Sequence, residues 1–117
     1  MNIAIIGSRT GFSRDFVINT LQNRFNITEI DTIISGGARG IDTYANEFAI
    51  MNFVPFEIIR PINPANKLDY LFRNIEIITK ADRIIAFWDG KSKGTKFVID
   101  YAKARNKDIE IIKEAQK

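Results

Sequence analysis

The residues best suited to chemistry sit in three short turns. In the first, Ser35-Gly36-Gly37-Ala38-Arg39-Gly40-Ile41-Asp42 follows the apolar pair Ile33-Ile34 and leads into an amphipathic segment. Glycines this close let the main chain adopt positive φ and approach a ligand with no Cβ in the way. A helix starting there points its free N–H groups and the positive end of its dipole back at the turn. That combination is a cradle for a phosphate or another anion. A tight strand-to-helix connection without a ligand has the same spacing, and both readings stay open here. Asp42 falls in the first helical turn, where a carboxylate either favours the dipole or contacts a ligand.

Two further turns have the same make-up. Gly7-Ser8-Arg9-Thr10-Gly11 follows Asn2-Ile3-Ala4-Ile5-Ile6, and Trp88-Asp89-Gly90-Lys91-Ser92-Lys93-Gly94-Thr95 follows Arg83 to Phe87. Each joins glycine to a cation or a hydroxyl. Their convergence on one place is stronger evidence for a phosphate-bearing ligand than any single turn.

Composition narrows the chemistry. The 117 residues include no histidine and no cysteine. This excludes a Ser-His-Asp triad, an imidazole base, His-ligated zinc, disulfides and thiolate metal sites. No carboxylate cluster has metal-ligand spacing, so neither a metal nor a cofactor is expected. The first turn is not Gly-x-Gly-x-x-Gly, and no Gly-x-x-x-x-Gly-Lys-[Ser/Thr] occurs, which excludes the common dinucleotide and P-loop fingerprints. The net charge of +3 suits a phosphate-bearing partner without requiring one. Lys91, Lys93, Lys96, Lys103 and Lys107 gather in the C-terminal third, but the charge is scattered rather than striped. Nucleic acid is therefore not the expected partner. No apolar run is long enough for a membrane span and no signal peptide is evident, so the expected setting is cytoplasmic, with no membrane partner.

The elements that must position these turns follow from periodicity. Short apolar runs predict parallel strands at Asn2–Gly7, Thr32–Ser35, Val54–Ile59, Arg83–Phe87 and Asp108–Ile112. Helices are predicted from Ser13 to about Arg24, Gly40 to Met51, Lys67 to Lys80 and Thr95 to Arg105, with frayed last residues. In the third helix Leu68, Leu71, Phe72, Ile75, Ile78 and Thr79 form the expected buried stripe, and Arg73 and Asn74 fall off it toward solvent or a crevice. The alternation predicts one α/β domain over 1–117, a Rossmann-like parallel sheet of order 3-2-1-4-5 with helices on both faces. Ligands in such sheets sit beyond the carboxyl ends of the strands, where the order reverses.

With these residues in view, the chain resembles the SLOG superfamily of DprA- and Lonely-Guy-related Rossmann-like domains, most nearly the small stand-alone YspA type. The likeness runs over nearly the whole length. It is carried by Ile5-Ile6-Gly7-Ser8-Arg9, Ser35 to Asp42, Arg73-Asn74, and Ala86 to Gly90 followed by Ser92-Lys93-Gly94-Thr95. It implies a nucleotide-like ligand and commonly a homodimer. By that likeness Gly7, Ser8 and Arg9 line one wall, and Gly36, Gly37, Ala38, Arg39 and Gly40 form the second-strand turn, whose glycines and Ala38 supply backbone donors. Asp42 contacts a ribose or caps a helix, and Arg73 and Asn74 reach in from the third helix. Asp89, Gly90, Lys93, Gly94 and Thr95 close the far side. Trp88 either stacks on a base or packs in the core.

One departure bears on catalysis. Lonely-Guy phosphoribohydrolases carry Gly-Thr-x-x-Glu on the last helix, and Gly94-Thr95-Lys96-Phe97-Val98 puts valine at the glutamate. Valine cannot stabilise an oxocarbenium-like centre or activate water. The leading expectation is thus a module that binds a nucleotide or nucleotide-derived molecule, as a sensor or a sequestering protein. A nucleotide N-glycosidase using Asp42 or Asp89 is the alternative, and DprA-like binding of single-stranded DNA ranks third.

Overall fold

The computed structural model describes residues 1–113. The expected fraying of the last residues falls mostly on 114–117, outside the described part.

Five strands, β1 (Asn2–Gly7), β2 (Thr32–Ser35), β3 (Phe56–Ile58), β4 (Arg83–Phe87) and β5 (Asp108–Ile112), form one parallel sheet in the order β3-β2-β1-β4-β5. Four helices connect them: α1 (Arg14–Arg24), α2 (Ile41–Met51), α3 (Lys67–Lys80) and α4 (Lys93–Ala104). This is the expected α/β Rossmann-like architecture. A 3-10 turn at Ile27–Glu29 is the one element without a sequence expectation. No helix among the described residues is long and apolar enough to cross a membrane.

Period-two alternation along the strands builds two cores. Ile3 and Ile5 of β1 face α1 and α2, where they pack with Val17, Leu21, Phe48 and Phe87. Ala4 and Ile6 face the other way, toward α3 and α4, with Ile77, Ile78, Val98 and Ala102. Because β1 is buried on both faces, it needs an uninterrupted apolar run, and Ile3-Ala4-Ile5-Ile6 supplies it.

The expectation for α3 needs correction. Leu68 and Phe72 are 58% and 62% exposed, while Ile77 and Ile78 are buried. The helix is apolar on two faces, and its core side is the one carrying Ile77 and Ile78. The face that carries Lys67, Tyr70, Leu71 and Asn74 looks into a cleft rather than into solvent. Strand β3 is shorter than the expected Val54–Ile59, and α4 starts two residues before the expected Thr95.

The register aligns Gly7 with Phe87 and Ser35 with Ile58, so the turns after β1, β2 and β4 leave the same edge of the sheet. The order reverses between β1 and β4, which opens a crevice there.

Candidate functional site

The turn after β1 holds the site together. Gly7 lies so close to β4 that a Cβ on it would sit 2.6 Å from the Phe87 carbonyl oxygen and 2.7 Å from Ile41 Cγ1. The next residue, Ser8, is 3% exposed. Its backbone N–H donates to the Phe87 carbonyl at 2.9 Å, and its Oγ accepts from the Asp89 N–H at 3.2 Å. Ser8 thus couples the β1 and β4 turns.

On the other side, Gly40 couples the β1 turn to the β2 turn. Its φ is +80°, and a Cβ there would meet the Arg9 carbonyl oxygen at 2.6 Å. Only glycine combines that dihedral with that approach. The third junction is made by Arg73 of α3. Its Nη1 donates to the Gly36 carbonyl at 2.6 Å and to the Ile59 carbonyl at 3.4 Å, while Nε donates to Asn74 Oδ1 at 2.9 Å. The guanidinium also lies 5.2 Å from the Tyr70 ring centroid. Gly36 leaves the room for it.

Asp42, 8% exposed, sits behind the β2 turn and accepts the Ala38 N–H at 2.9 Å. Burial pushes its carboxyl above the ordinary aspartate value, opposed by the Ala38 amide and the Arg73 and Arg9 charges. Asp89 behaves oppositely. Its Oδ1 accepts the Lys91 and Ser92 N–H groups, each at 2.8 Å. The Ser92 and Lys91 amides hold its carboxyl below the ordinary value. Asp42 and Asp89 therefore serve the turns they belong to.

These junctions enclose a cleft of about 570 Å³, walled by Gly7, Ser8, Arg9, Gly36, Ala38 and Asp42, with Arg73 and Asn74 from α3 and Asp89, Gly94 and Thr95 from the far side. The three turns expected to converge do converge. A second hollow of about 390 Å³ adjoins it and takes Gly37 and Arg39. Trp88, Gly90, Lys93 and Gly40 line neither hollow. The indole N–H of Trp88 donates to the Ser92 carbonyl at 3.0 Å, and its half-buried ring packs against the α3–α4 core.

The cleft also has walls that sequence reasoning missed: Ile6 of β1 and Lys67, Tyr70, Leu71 and Ile77 of α3. For α3 a signal was present. Lys67, Tyr70, Asn74 and Ile77 recur at i, i+3, i+7 and i+10, one helical face, but the apolar stripe beside it was followed instead.

The arrangement has features that suit an anion. Ser13 and Asn66 cap α1 and α3 with their side chains, whereas Ser92 makes no side-chain cap on α4. The first turn of α4 has no acidic residue, and Gly94 faces open space. Asp89 supplies a carboxylate just before this helix start, taking the Lys91 and Ser92 amides, while Gly94 and Thr95 of the first turn line the cleft. The ion pairs among the described residues leave out Arg9 and Lys67, which both line the cleft. Buried Val98 supplies an apolar floor at the position where a phosphoribohydrolase has its glutamate.

No family model matches the chain, and no curated protein sequence matches it. Solved structures similar to the chain include two DprA proteins. DNA processing protein A (DprA) from Streptococcus pneumoniae superposes with a TM-score of 0.83 at 20% identity, over 97% of this chain and 50% of that one. DprA from Helicobacter pylori superposes with a TM-score of 0.76 at 23% identity, over 100% of this chain and 66% of that one. The chain thus spans one half to two thirds of those proteins. The Helicobacter pylori structure concerns a single-stranded DNA binding mode. That overturns the expectation set against nucleic acid, which rested on the scattered lysines; the fold brings Arg9, Lys67 and Arg73 from distant parts of the chain to one cleft. At these identities the likeness carries the fold, and the fold of this chain is the Rossmann-like fold of the DprA structures.

Proposed function

We propose that this chain binds single-stranded nucleic acid, seating a nucleotide of the strand in the cleft between the β1, β2 and β4 turns. The observation that carries this is one cleft lined together by Arg9, Lys67, the first turn of α4 and an apolar floor at Val98. The amides and cations suit a phosphate, and Val98, Leu71 and Ile77 suit a sugar or base face. The single-stranded DNA binding mode of Helicobacter pylori DprA, on the same fold, supports the same reading. A cytoplasmic setting fits it.

A second reading, a free nucleotide or nucleotide-derived molecule bound by a YspA-type sensor or sequestering module, is favoured by the size of the cleft. About 570 Å³ is ample for one mononucleotide. In either case Val98 argues for binding rather than glycosidic cleavage.

The test is fluorescence anisotropy of labelled oligothymidylate across a salt series, with mononucleotides as competitors. Strand binding predicts saturable anisotropy, an affinity that falls steeply with salt, and competition by mononucleotides only at much higher concentration. Tight mononucleotide binding with no strand binding selects the second reading. No binding of either class removes both.

A further inference from the structure

The cleft does not end at Arg73. Arg9, Gly36, Ala38, Tyr70 and Arg73 wall it and the adjoining hollow alike, so the two hollows meet along these residues, the waist between them. The second hollow has a distinct character: four arginines, Arg9, Arg39, Arg60 and Arg73, line it and no carboxylate does. Neither Arg39 nor Arg60 joins an ion pair among the described residues. Arg60 reaches only the Gly37 carbonyl, at 3.5 Å. Opposite this charge stands an apolar rim of Pro61, Ile62 and Pro64, and Ile62 is 96% exposed.

The Asp42 carboxylate acts on Arg9 and Arg73 but pairs with neither Arg39 nor Arg60. The four arginines set against it leave positive charge that calls for an anion, and an isoleucine held out in water beside it calls for an apolar face. A free phosphate answers the first demand alone, whereas a nucleotide answers both. Resting on the strand-binding reading above, we infer that the hollow bounded by Arg39, Arg60, Pro61 and Ile62 is a second nucleotide seat. It takes the neighbour of the nucleotide in the main cleft, with the linking phosphate at the shared Arg9–Arg73 waist. The preferred minimal ligand is then two linked nucleotides.

Calorimetric titration of the full chain with thymidine 5′-monophosphate and with the 5′-phosphorylated thymidine dinucleotide tests this. The dinucleotide binds at least about tenfold more tightly than the mononucleotide, the scale of one charge-assisted contact plus partial base burial. Arg60→Ala brings dinucleotide affinity down to the mononucleotide level and leaves the mononucleotide within about twofold, since Arg60 does not line the main cleft. Ile62→Ser, at an exposed position that folding does not need, lowers dinucleotide affinity alone, which guards against disturbance of the Gly37 turn by the arginine change. Equal affinity of the two ligands, or equal losses in both variants, overturns the second seat. If oligothymidylate still binds in that case, the strand-binding reading survives without it; if no ligand binds at all, both fall.

Discussion

Arg73 and Gly36 occupy each other's space: the guanidinium Nη1 donates to the Gly36 carbonyl at 2.6 Å, and a Cβ on Gly36 would lie 2.5 Å from that same nitrogen. A single methyl therefore breaks the junction between α3 and the β2 turn. Gly36→Ala is expected to lower affinity for phosphorylated ligands by at least about tenfold, with a stability loss of about 1–3 kcal/mol from the overpacking. Anisotropy and urea unfolding on the same preparation measure both. Unchanged affinity would show that the cleft does not need Arg73 in place.

Gly40 and Gly94 make a contrasting pair. At Gly40 a Cβ meets fixed backbone at positive φ, so Gly40→Ala should cost about 1–3 kcal/mol and lower Tm whatever the ligand does. At Gly94 a Cβ meets nothing, so Gly94→Val should keep stability within about 1 kcal/mol of the parent. Its branched side chain nonetheless stands at the approach to the α4 amides, and affinity should drop by about tenfold, one lost charge-assisted contact. A Gly94 variant that binds normally would move the anion away from the α4 start.

Arg9 is a cleft cation outside the ion pairs of the described residues, its charge acting on Asp42 from a distance. Arg9→Ala should weaken binding of oligothymidylate and of nucleoside phosphates by about tenfold, leave nucleosides nearly unaffected, and reduce the salt slope of strand binding by about one. Equal losses for nucleosides and nucleotides would argue against a contact between Arg9 and phosphate.

The two site carboxylates give opposite pH signatures. Burial raises Asp42 in the folded chain, so the native state holds that proton more tightly than the unfolded state. Its contribution to stability is complete below the ordinary aspartate value and is lost as pH rises through the raised one. The Ser92 and Lys91 amides depress Asp89, whose contribution is present above the ordinary value and is lost as pH falls through the depressed one. Urea midpoints followed from acid to neutral pH should show Asp42→Asn flattening the decline on the rising side. Asp89→Asn should soften the loss on the acid side. The same change in both variants would contradict the assigned environments.

Strand order and nearly every element boundary were legible because the strands are short apolar runs and the turns are marked by glycine. The convergence of the three turns followed from that order. Less legible was α3, where two apolar faces compete and only packing decides which one is buried; Leu68 and Phe72 ended outside, and Lys67 and Tyr70 entered the cleft unforeseen. Trp88 was ambiguous for a related reason, since its indole suits a base or a core equally well, and only the fold supplies the Ser92 carbonyl that holds it. Of the four arginines along the two hollows, Arg9, Arg39 and Arg73 were legible from the turns and α3, whereas Arg60, just after β3 and outside the three turns, meets them only in the folded chain.

The close contacts at Gly7, Gly36 and Gly40 are all made with the protein itself, with Phe87 and Ile41, with Arg73, and with Arg9. The glycine pattern is in that sense joinery: it fixes how the walls meet and leaves the choice of guest to side chains mounted on them. Retargeting this scaffold is accordingly a matter of changing Lys67, Tyr70 and Thr95 while keeping the three joints.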